Sequence, residues 1–424
     1  MTKIKVLGAG QEVGRSGFLV KHKESNVLLD YGLKLDPAGT QFPLEPKENV
    51  QSIVLSHAHL DHSGMIPANF KHSNPLVYMT APTLEIANIL WEDSLKIARY
   101  DGVDPPFSPE NIKQAHKRIQ LISYKQEAQI APNINLQMYD AGHILGSALS
   151  RLEFDDGKSL LYTGDYNFEE TRLHKGADVE FDDINYLMVE STYGDRDHLP
   201  REEVEKNFVA RIKKTIDRGG SVIIPAFAVG RSQEILDILN EYKVNDVPIY
   251  LDGMGQKVAN IYLRYPGYYK NPFILRESMG KAKWVRNQNM RKKIVKEQCI
   301  IVTTAGMLEG GPAMYYIKKL ANDEKNSILL TGFQVDETKG SILLKTGKIE
   351  IDGDVYEPKG HVEKFDFSAH IGQKYLLRTI SLWNPEKVVC VHGDAKIIET
   401  FKQTIEEKLG IKALAPKIGD QIDL

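Results

Sequence analysis

The spacing of hydrophobic residues predicts a chain that is strand-rich at both ends and alternates strands with helices in its middle. In the first 195 residues, short apolar or β-branched runs predict strands, and apolar residues recur at helical spacing over 83–100. A second helix is predicted at 108–120. The predicted strands of this part lie at 4–7, 17–20, 26–30, 52–55, 134–139, 159–162 and 186–190.

The pattern changes after residue 195. A charged amphipathic helix is predicted at 201–218, and strand-like runs at 221–225, 299–303 and 327–331 then alternate with helical ones. Such alternation is typical of a parallel sheet with helices on its faces, so we predict a separate α/β unit at 196–345. Strand-like runs return after residue 346, and two of them end in His370 and His392.

Composition is ordinary for a soluble globular protein, with 42% hydrophobic and 26% charged residues. No apolar run approaches the ~20 residues of a membrane span, and the first residues lack the apolar segment of a signal peptide. We therefore expect a cytoplasmic protein without a membrane partner. Cys299 and Cys390 are the only cysteines, and their apolar surroundings predict buried free thiols in a reducing compartment.

The net charge of -3 does not favour a nucleic-acid partner, but one stretch is strongly basic. Between Ser278 and Lys296 the sequence has seven basic residues and no acidic one, with Trp284 and Met290 among them. Basic side chains interleaved with an aromatic ring suit phosphate contacts and base stacking. A solvated basic helix face is the competing interpretation.

The strongest chemical signal is the stretch from His57 to His62, which follows a β-branched run. On an extended backbone, residues two apart point the same way, so His57 and His59 can chelate one ion. Asp61 and His62 project differently and can hardly join the same ion, so the spacing suggests two adjacent metals. Nitrogen and oxygen ligands favour zinc, although manganese or iron would also accept them.

Other chemically active residues lie where predicted strands end. A buried carboxylate such as Asp30 needs a partner, which a role in orienting a metal-binding histidine would supply. Asp165 follows a strand in the same way and could bridge two ions. Together with the cluster at 57–62, the residues in such positions are Asp30, His143, Asp165, Glu190, His370 and His392.

With these residues assembled, the chain resembles a metallo-β-lactamase-fold nuclease of the β-CASP branch. The His-x-His-x-Asp-His signature alone marks only the superfamily. Glu190 in Val-Glu-Ser-Thr-Tyr-Gly, His370 in Phe-Ser-Ala-His and His392 in Val-His-Gly-Asp resemble the motifs of that branch, as does Pro225–Arg231 in the middle unit. The chain is most similar to compact archaeal homologues of the nuclease subunit of the cleavage and polyadenylation specificity factor. Bacterial-type ribonuclease J is a more distant resemblance.

The resemblance implies an α/β fold: a metallo-β-lactamase αβ/βα sandwich formed by residues 1–195 and 346–424, with a Rossmann-like β-CASP domain inserted at 196–345. It also implies two Zn²⁺ ions that share Asp165, and Asp30 as a residue that orients a ligand. One ion would take His57, His59, His143 and Asp165, and the other Asp61, His62, Asp165 and His392.

The implied activity is hydrolysis of single-stranded RNA by internal cleavage, with 5′-to-3′ trimming left open. His370 is the candidate general acid and Glu190 would orient it, while Asp61 would serve both as a ligand and in catalysis. Relatives usually carry an Asp two residues after the equivalent of His370, but Gly372 stands there. Whatever that Asp does in relatives is therefore in doubt in this chain.

RNA is expected in a groove between the two domains, held through its phosphates with weak sequence preference. The residues predicted to contact it are Arg231, Thr303, Thr304 and Ser368. The resemblance favours a homodimer, and no N-terminal KH region like that of some relatives is seen. Two alternative functions are an inactive RNA-binding scaffold subunit and a small-molecule metallo-hydrolase. The scaffold subunit would typically have lost ligands, and the metallo-hydrolase would not explain the inserted domain.

Overall fold

The structure is a computed structural model that describes residues 2–36 and 39–424. It contains two compact units. The first comprises Met1–Glu170, Gly176–Asp197 and Ala369–Leu424, and the second comprises Thr171–Lys175 and His198–Ser368. Each unit has its own hydrophobic core, and each is described separately below.

The first unit begins with eleven strands and three helices among the described residues. The strands are β1 (Thr2–Gly8), β2 (Gly17–His22), β3 (Ser25–Leu29), β4 (Ser52–Val54), β5 (Leu76–Met79), β6 (Ile119–Leu121), β7 (Glu127–Ala131), β8 (Ile134–Asp140), β9 (Ala148–Phe154), β10 (Ser159–Tyr162) and β11 (Tyr186–Glu190). The helices are α1 (Leu60–Ser63), α2 (Ala81–Asp101) and α3 (Pro109–Arg118), with a 3₁₀ helix at Ile66–Lys71.

The second unit follows as an alternation of helices and short strands. Its helices are α4 (Arg201–Asp217), α5 (Arg231–Glu241), α6 (Gly255–Arg264), α7 (Pro272–Lys281), α8 (Gln288–Ile294), α9 (Pro312–Leu320) and α10 (Lys339–Thr346), with a 3₁₀ helix at Pro266–Tyr268. Its strands are β12 (Val222–Pro225), β13 (Ile249–Asp252), β14 (Lys283–Trp284), β15 (Ile300–Thr303), β16 (Ser327–Leu330), β17 (Ile349–Ile351), β18 (Asp354–Tyr356) and β19 (His361–Lys364).

The C-terminal segment completes the first unit with α11 (Gln373–Trp383), β20 (Lys387–Val391), α12 (Ala395–Leu409), β21 (Lys412–Leu414) and β22 (Gln421–Asp423). Two seven-stranded sheets result, in the orders β22-β1-β2-β3-β4-β5-β6 and β21-β20-β11-β10-β9-β8-β7. Each sheet therefore contains strands from both ends of the chain.

The two sheets of the first unit face each other across an apolar core. Alternate residues such as Ile4 and Val6 point inward from the first sheet, as the period of a half-buried strand requires. Phe18 meets Tyr162 of the second sheet edge to face, with ring centroids 5.7 Å apart. A second core lies between the second sheet and α11 and α12, where Phe401 is fully buried. The predicted αβ/βα sandwich is confirmed.

Local sequence signals set the helix boundaries of this unit. The Thr80 side chain accepts a hydrogen bond from the backbone N–H of Thr83 at the start of α2, which ends at Gly102 with a φ of 68°. Ser108 and Asn111 form a reciprocal capping box at the start of α3. No helix in the described part of the chain is both long enough and apolar enough to cross a membrane.

The second unit has a six-stranded sheet in the order β14-β13-β15-β12-β16-β19, and every neighbouring pair is parallel. This is the parallel sheet that the alternating pattern predicted.

Residues 346–368 also lie in this unit, because β19 adds to the sheet beside β16. From the sequence, residues 346–424 were instead predicted to complete the first domain. The run 365–370, predicted as a strand, has no regular structure, and the strand ends just before it at Lys364.

Asp237 on α5 is a buried carboxylate in the second unit whose pKa rises to about 7, chiefly because of burial and also because of the nearby Glu234 carboxylate. Unfolding exposes this carboxyl and restores its usual pKa of 3.8. A raised carboxyl pKa contributes stability that is present below the unfolded pKa and is lost as pH rises through the folded pKa. Wild-type stability should therefore fall between about pH 4 and pH 7.

Asp237→Asn removes this titration and should raise the free energy of unfolding at pH 8 by up to about 4 kcal/mol. The measurement is the denaturant midpoint of unfolding at pH 5 and pH 8. Asp246→Asn, which changes an exposed carboxylate of the same unit, is the matched control and should leave the pH dependence intact. An equal decline from pH 5 to pH 8 in wild type and Asp237→Asn would contradict the prediction.

Candidate metal centre

Four predicted ligands from three separate chain segments converge in the first unit. His57 and His59 follow β4, His143 follows β8, and Asp165 follows β10. Nδ1 of His59 lies 3.2 Å from Nε2 of His57 and 3.2 Å from Nε2 of His143. Oδ2 of Asp165 lies 3.5 Å from Nε2 of His57, and one ligand atom of each residue lies within 4.8 Å of the others.

The other carboxylate oxygen of Asp165 belongs to a second group of four residues, which also contains Asp61, His62 and His392. Nε2 of His62 and Nδ1 of His392 each lie 3.3 Å from Oδ1 of Asp165. Oδ2 of Asp61 lies 3.3 Å from Nε2 of His392 and 3.9 Å from Nε2 of His62. The structure thus brings all seven predicted ligands into two groups that share Asp165.

The donor atoms of both groups fit a zinc ion. A tetrahedral ion with ligands at about 2.0–2.1 Å separates them from each other by about 3.4 Å, close to the spacings found. Burial lowers the pKa of His57 and His143 well below the usual 6.5, which keeps both imidazoles neutral and able to bind a cation. Oδ1 of Asp165 is buried and accepts no hydrogen bond from a described residue, as expected for an atom that binds a metal ion.

Two of the histidines are held by one ring nitrogen, so the other nitrogen faces the group. Nδ1 of His62 lies 2.7 Å from Oδ2 of Asp30, and Nδ1 of His143 lies 2.9 Å from the carbonyl oxygen of Ala369. Such partners fix the tautomer and the ring orientation of a metal-binding histidine. The acceptor from Ala369 was not found from the sequence, because a backbone carbonyl leaves no sequence signal.

Asp30 is the residue that orients His62, as its position at a strand end suggested. It is fully buried and takes part in four hydrogen bonds: from the backbone N–H and the hydroxyl of Ser56, from the hydroxyl of Tyr162, and with His62. Neither Ser56 nor Tyr162 was predicted from the sequence. Tyr162 could have been found, since it ends the strand that leads to Asp165.

Asp30→Asn should weaken metal binding by about 10- to 100-fold, because an amide cannot accept from all four of these groups and holds His62 less firmly. Competition with a chromophoric chelator measures the affinity. Asp156→Asn alters an exposed carboxylate of the same unit and serves as the control. Unchanged affinity in a folded Asp30→Asn protein would show that Asp30 has no such role.

Glu190 and His370 form a dyad beside Asp165, and the His370 ring lies 4.8 Å from the His143 ring of the first group, measured between centroids. Nδ1 of His370 lies 2.9 Å from Oε2 of Glu190, whose Oε1 accepts the backbone N–H of Tyr166 at 2.9 Å. Burial opposes the charged imidazole, but the carboxylates of Glu190 and Asp165 raise the pKa of His370 to about 9. The dyad is therefore an imidazole that is oriented and charged by a buried glutamate.

Gly372 occupies the N-cap position of α11, without a side-chain hydrogen bond. Its carbonyl oxygen accepts the backbone N–H of Leu376 at 2.9 Å. An Asp at this position would be placed to cap the helix.

The predicted RNA-contacting residues belong to the second unit and lie in different settings. Arg231, at the start of α5, is 7% exposed and forms an ion pair with Glu234. Thr303 is fully buried and its hydroxyl donates to the carbonyl of Thr304, so the structure does not leave it available for direct contact with RNA. Thr304 accepts the backbone N–H of Met254, and Ser368 is partly exposed.

The network around Arg231 was not predicted from the sequence. Glu234 is buried between Arg231 and Arg201, and Arg201 also donates to the carbonyl of Ser368 at 2.9 Å. Both guanidinium groups lie over the Phe367 ring, at 5.1 Å and 5.8 Å from its centroid. The Arg and Glu three positions apart on a predicted helix were a signal for this pair.

Three regions of the chain match known domain families. Residues 19–188 match the metallo-beta-lactamase superfamily domain, residues 232–343 the Beta-Casp domain, and residues 356–416 the Zn-dependent metallo-hydrolase RNA specificity domain. These matches and the clustered His and Asp residues define a metallo-hydrolase with an inserted β-CASP domain. The chain belongs to the β-CASP family of metallo-β-lactamase-fold proteins.

Several archaeal relatives span nearly the whole chain. Probable RNase MJ4 of Methanocaldococcus jannaschii is 38% identical, over 98% of each chain. RNase aCSPSF2 of Saccharolobus solfataricus is 35% identical, over 99% of this chain and 85% of its own. Transcription termination factor FttA of Thermococcus kodakarensis is 36% identical, over 100% of this chain and 71% of its own.

A solved structure shares the fold. The crystal structure of a protein of unknown function from Enterococcus faecalis V583 superposes with a TM-score of 0.64 at 15% identity, covering 100% of both chains.

Proposed function

We propose that this protein is a two-zinc ribonuclease that hydrolyses phosphodiester bonds of single-stranded RNA. The observation that carries the proposal is the convergence of six His and Asp side chains around Asp165, with the Glu190–His370 dyad beside them. Two of the relatives are named RNases, and the family includes an RNA specificity domain. The homodimer implied by the resemblance stays a prediction.

The two groups of residues would hold one ion each. His57, His59, His143 and Asp165 would bind the first, and Asp61, His62, Asp165 and His392 the second. When bound, a pair of such ions supplies Lewis-acid polarisation of a phosphoryl oxygen and acidifies water. Asp165 would belong to both sites, because its two carboxylate oxygens face different groups of ligands.

His370 would then act as the general acid of the reaction. Glu190 holds the imidazole by Nδ1 and favours its charged form, so the second ring nitrogen carries a proton that can pass to the departing 3′ oxygen. Breaking the P–O3′ bond with addition of water leaves a 5′-phosphate on one product and a 3′-hydroxyl on the other. Glu190 would balance the positive charge of His370 before the proton is transferred, and it would keep the imidazole ring in place.

Single-stranded RNA is the proposed substrate because the candidate ligands are recessed. His57 and His62 are fully buried, and a duplex is too wide to bring a phosphate to such a site. Contacts would be mainly to phosphate, which gives weak sequence preference and strong salt dependence. Among the predicted contacts, Ser368 is the one that the structure leaves partly exposed.

Labelled single-stranded RNA tests the proposal. The protein is incubated with 5′-labelled and, separately, 3′-labelled RNA, with and without chelator, and zinc is then added back. We expect chelator-sensitive cleavage that zinc restores, and the two labels distinguish internal cuts from 5′-to-3′ trimming. Binding without cleavage would support the scaffold alternative. Hydrolysis of a lactam or thioester with intact RNA would support the small-molecule alternative.

A further inference from the structure

The charges of the second unit are unevenly distributed. The 33 residues from Arg264 to Lys296 contain ten Lys or Arg and one Glu, whereas the rest of the chain has 44 Lys or Arg against 56 Asp or Glu. This segment, here called the basic edge, contains α7, α8 and β14, the strand at one end of the six-stranded sheet. A strongly positive surface on an otherwise acidic chain indicates an anionic partner.

The basic edge presents its charges to solvent. Eight of its ten basic side chains are exposed, and among the described residues Arg286, Lys292, Lys293 and Lys296 make no ion pair. Lys292 and Lys293 lie in the last turn of α8, and Lys296 lies in the turn that follows it, where its backbone N–H donates to the carbonyl of Lys293. Three exposed lysines within five residues form a positive patch that favours a bound anion.

Aromatic rings accompany these charges. Phe273, at the start of α7, is 88% exposed, although a ring of this size is usually buried. Tyr265 and Tyr268 lie a few residues before it, with ring centroids 6.1 Å apart. Trp284 is half-buried, and its indole N–H donates to the carbonyl of Met279 at 3.1 Å. An exposed ring that lies between Lys270 and Arg276 in the sequence suits stacking on an unpaired base.

We propose that the basic edge is a second binding surface for single-stranded RNA, distinct from the metal centre. The inference rests on the proposed function for its substrate class. Lysine and arginine side chains would contact phosphates while Phe273 stacks on a base. An acidic protein could also meet such charges, but it would not call for an exposed ring beside them, so the observations favour RNA. The surface would raise the affinity for longer substrates without taking part in the chemistry.

The charge contribution is tested with the full-length variant Lys292→Gln/Lys293→Gln/Lys296→Gln. Binding to a labelled 30-nucleotide RNA is measured by fluorescence anisotropy across a range of salt concentrations. Loss of three phosphate contacts should flatten the slope of log K against log salt by about 2 and weaken binding about 10- to 100-fold at 0.1 M salt. Lys96→Gln/Lys113→Gln/Lys117→Gln removes three exposed charges from the first unit and is the matched control.

The stacking contribution is tested with Phe273→Ala. This variant should weaken RNA binding about fivefold or more, with an unchanged salt slope. Tyr100→Ala removes a ring from the first unit that is 92% exposed and should bind RNA as the parent protein does. Because both rings are exposed, neither variant is expected to disturb the core.

Cleavage kinetics separate this inference from the proposed function. The lysine variant should raise KM for the 30-nucleotide RNA and leave kcat unchanged. Parent-like binding and salt slope in the lysine and Phe273 variants, with cleavage intact, would overturn the basic edge as an RNA surface and leave the ribonuclease proposal standing. If the variants bind RNA more weakly but the parent protein never cleaves RNA, the basic edge stands as an RNA surface and the ribonuclease proposal fails. An acidic protein as the true partner would appear as parent-like RNA binding by both variants.

Discussion

Asp165→Asn is expected to lose both metal ions and all measurable cleavage of RNA. Each of its carboxylate oxygens faces a different group of ligands, and the imidazoles of His392 and His62 bring the pKa of this carboxyl well below its usual range despite burial. An amide is neutral and offers one oxygen, so it cannot serve two cations. Elemental analysis of the protein after purification in zinc-containing buffer measures the loss.

Asp61→Asn is the matched comparison for Asp165→Asn. Asp61 belongs only to the second group, and its side chain is 31% exposed. We expect this variant to retain about half of the zinc, because the first group stays intact. Equal metal content in Asp165→Asn and the parent protein would refute a shared carboxylate, and complete loss in Asp61→Asn would refute two separable sites.

His370→Ala is expected to keep both metal ions and to cleave RNA about 100- to 10,000-fold more slowly, the range typical of losing a general acid. The measurement is the single-turnover rate on 5′-labelled RNA, together with the zinc content of the same sample. A variant that carries the full metal complement and cleaves at the parent rate would exclude His370 as the proton donor.

Two further variants define the role of His370. Glu190→Gln leaves the imidazole in place but removes the carboxylate that orients and charges it, so we expect a slower rate with the metal retained. His116→Ala removes an exposed histidine that bonds Asn88 and should be as active as the parent protein. Loss of zinc from His370→Ala or Glu190→Gln would assign the dyad to metal binding instead.

The sequence predicted the fold class and the side chains that converge around Asp165 because both depend on short-range patterns. Residues at strand ends, such as His57 and Asp165, meet when the strands join one sheet or two facing sheets, and a strand end can be read from the chain. The contacts that hold them could not be read in the same way. The carbonyl of Ala369, which holds His143, is 226 positions away and has no side-chain signal.

Long-range strand pairing also explains where the predicted boundary and the structure differ. The residues after 345 look like the strand-rich first part, but β19 pairs in parallel with β16, and no local pattern distinguishes one sheet edge from another. Arg231 shows a related limit. Its position near a helix start suggested a phosphate contact, whereas in the structure its guanidinium forms an ion pair with Glu234.

The order of segments along the chain has a consequence for biosynthesis. His392 follows β20, which lies beside β11 in the second sheet, yet residues 198–368 are translated between these two strands. A ribosome-bound chain therefore lacks the last imidazole of the second group until the entire middle unit has been made. An enzyme that attacks RNA would thus stay incomplete while it is still attached to its own messenger.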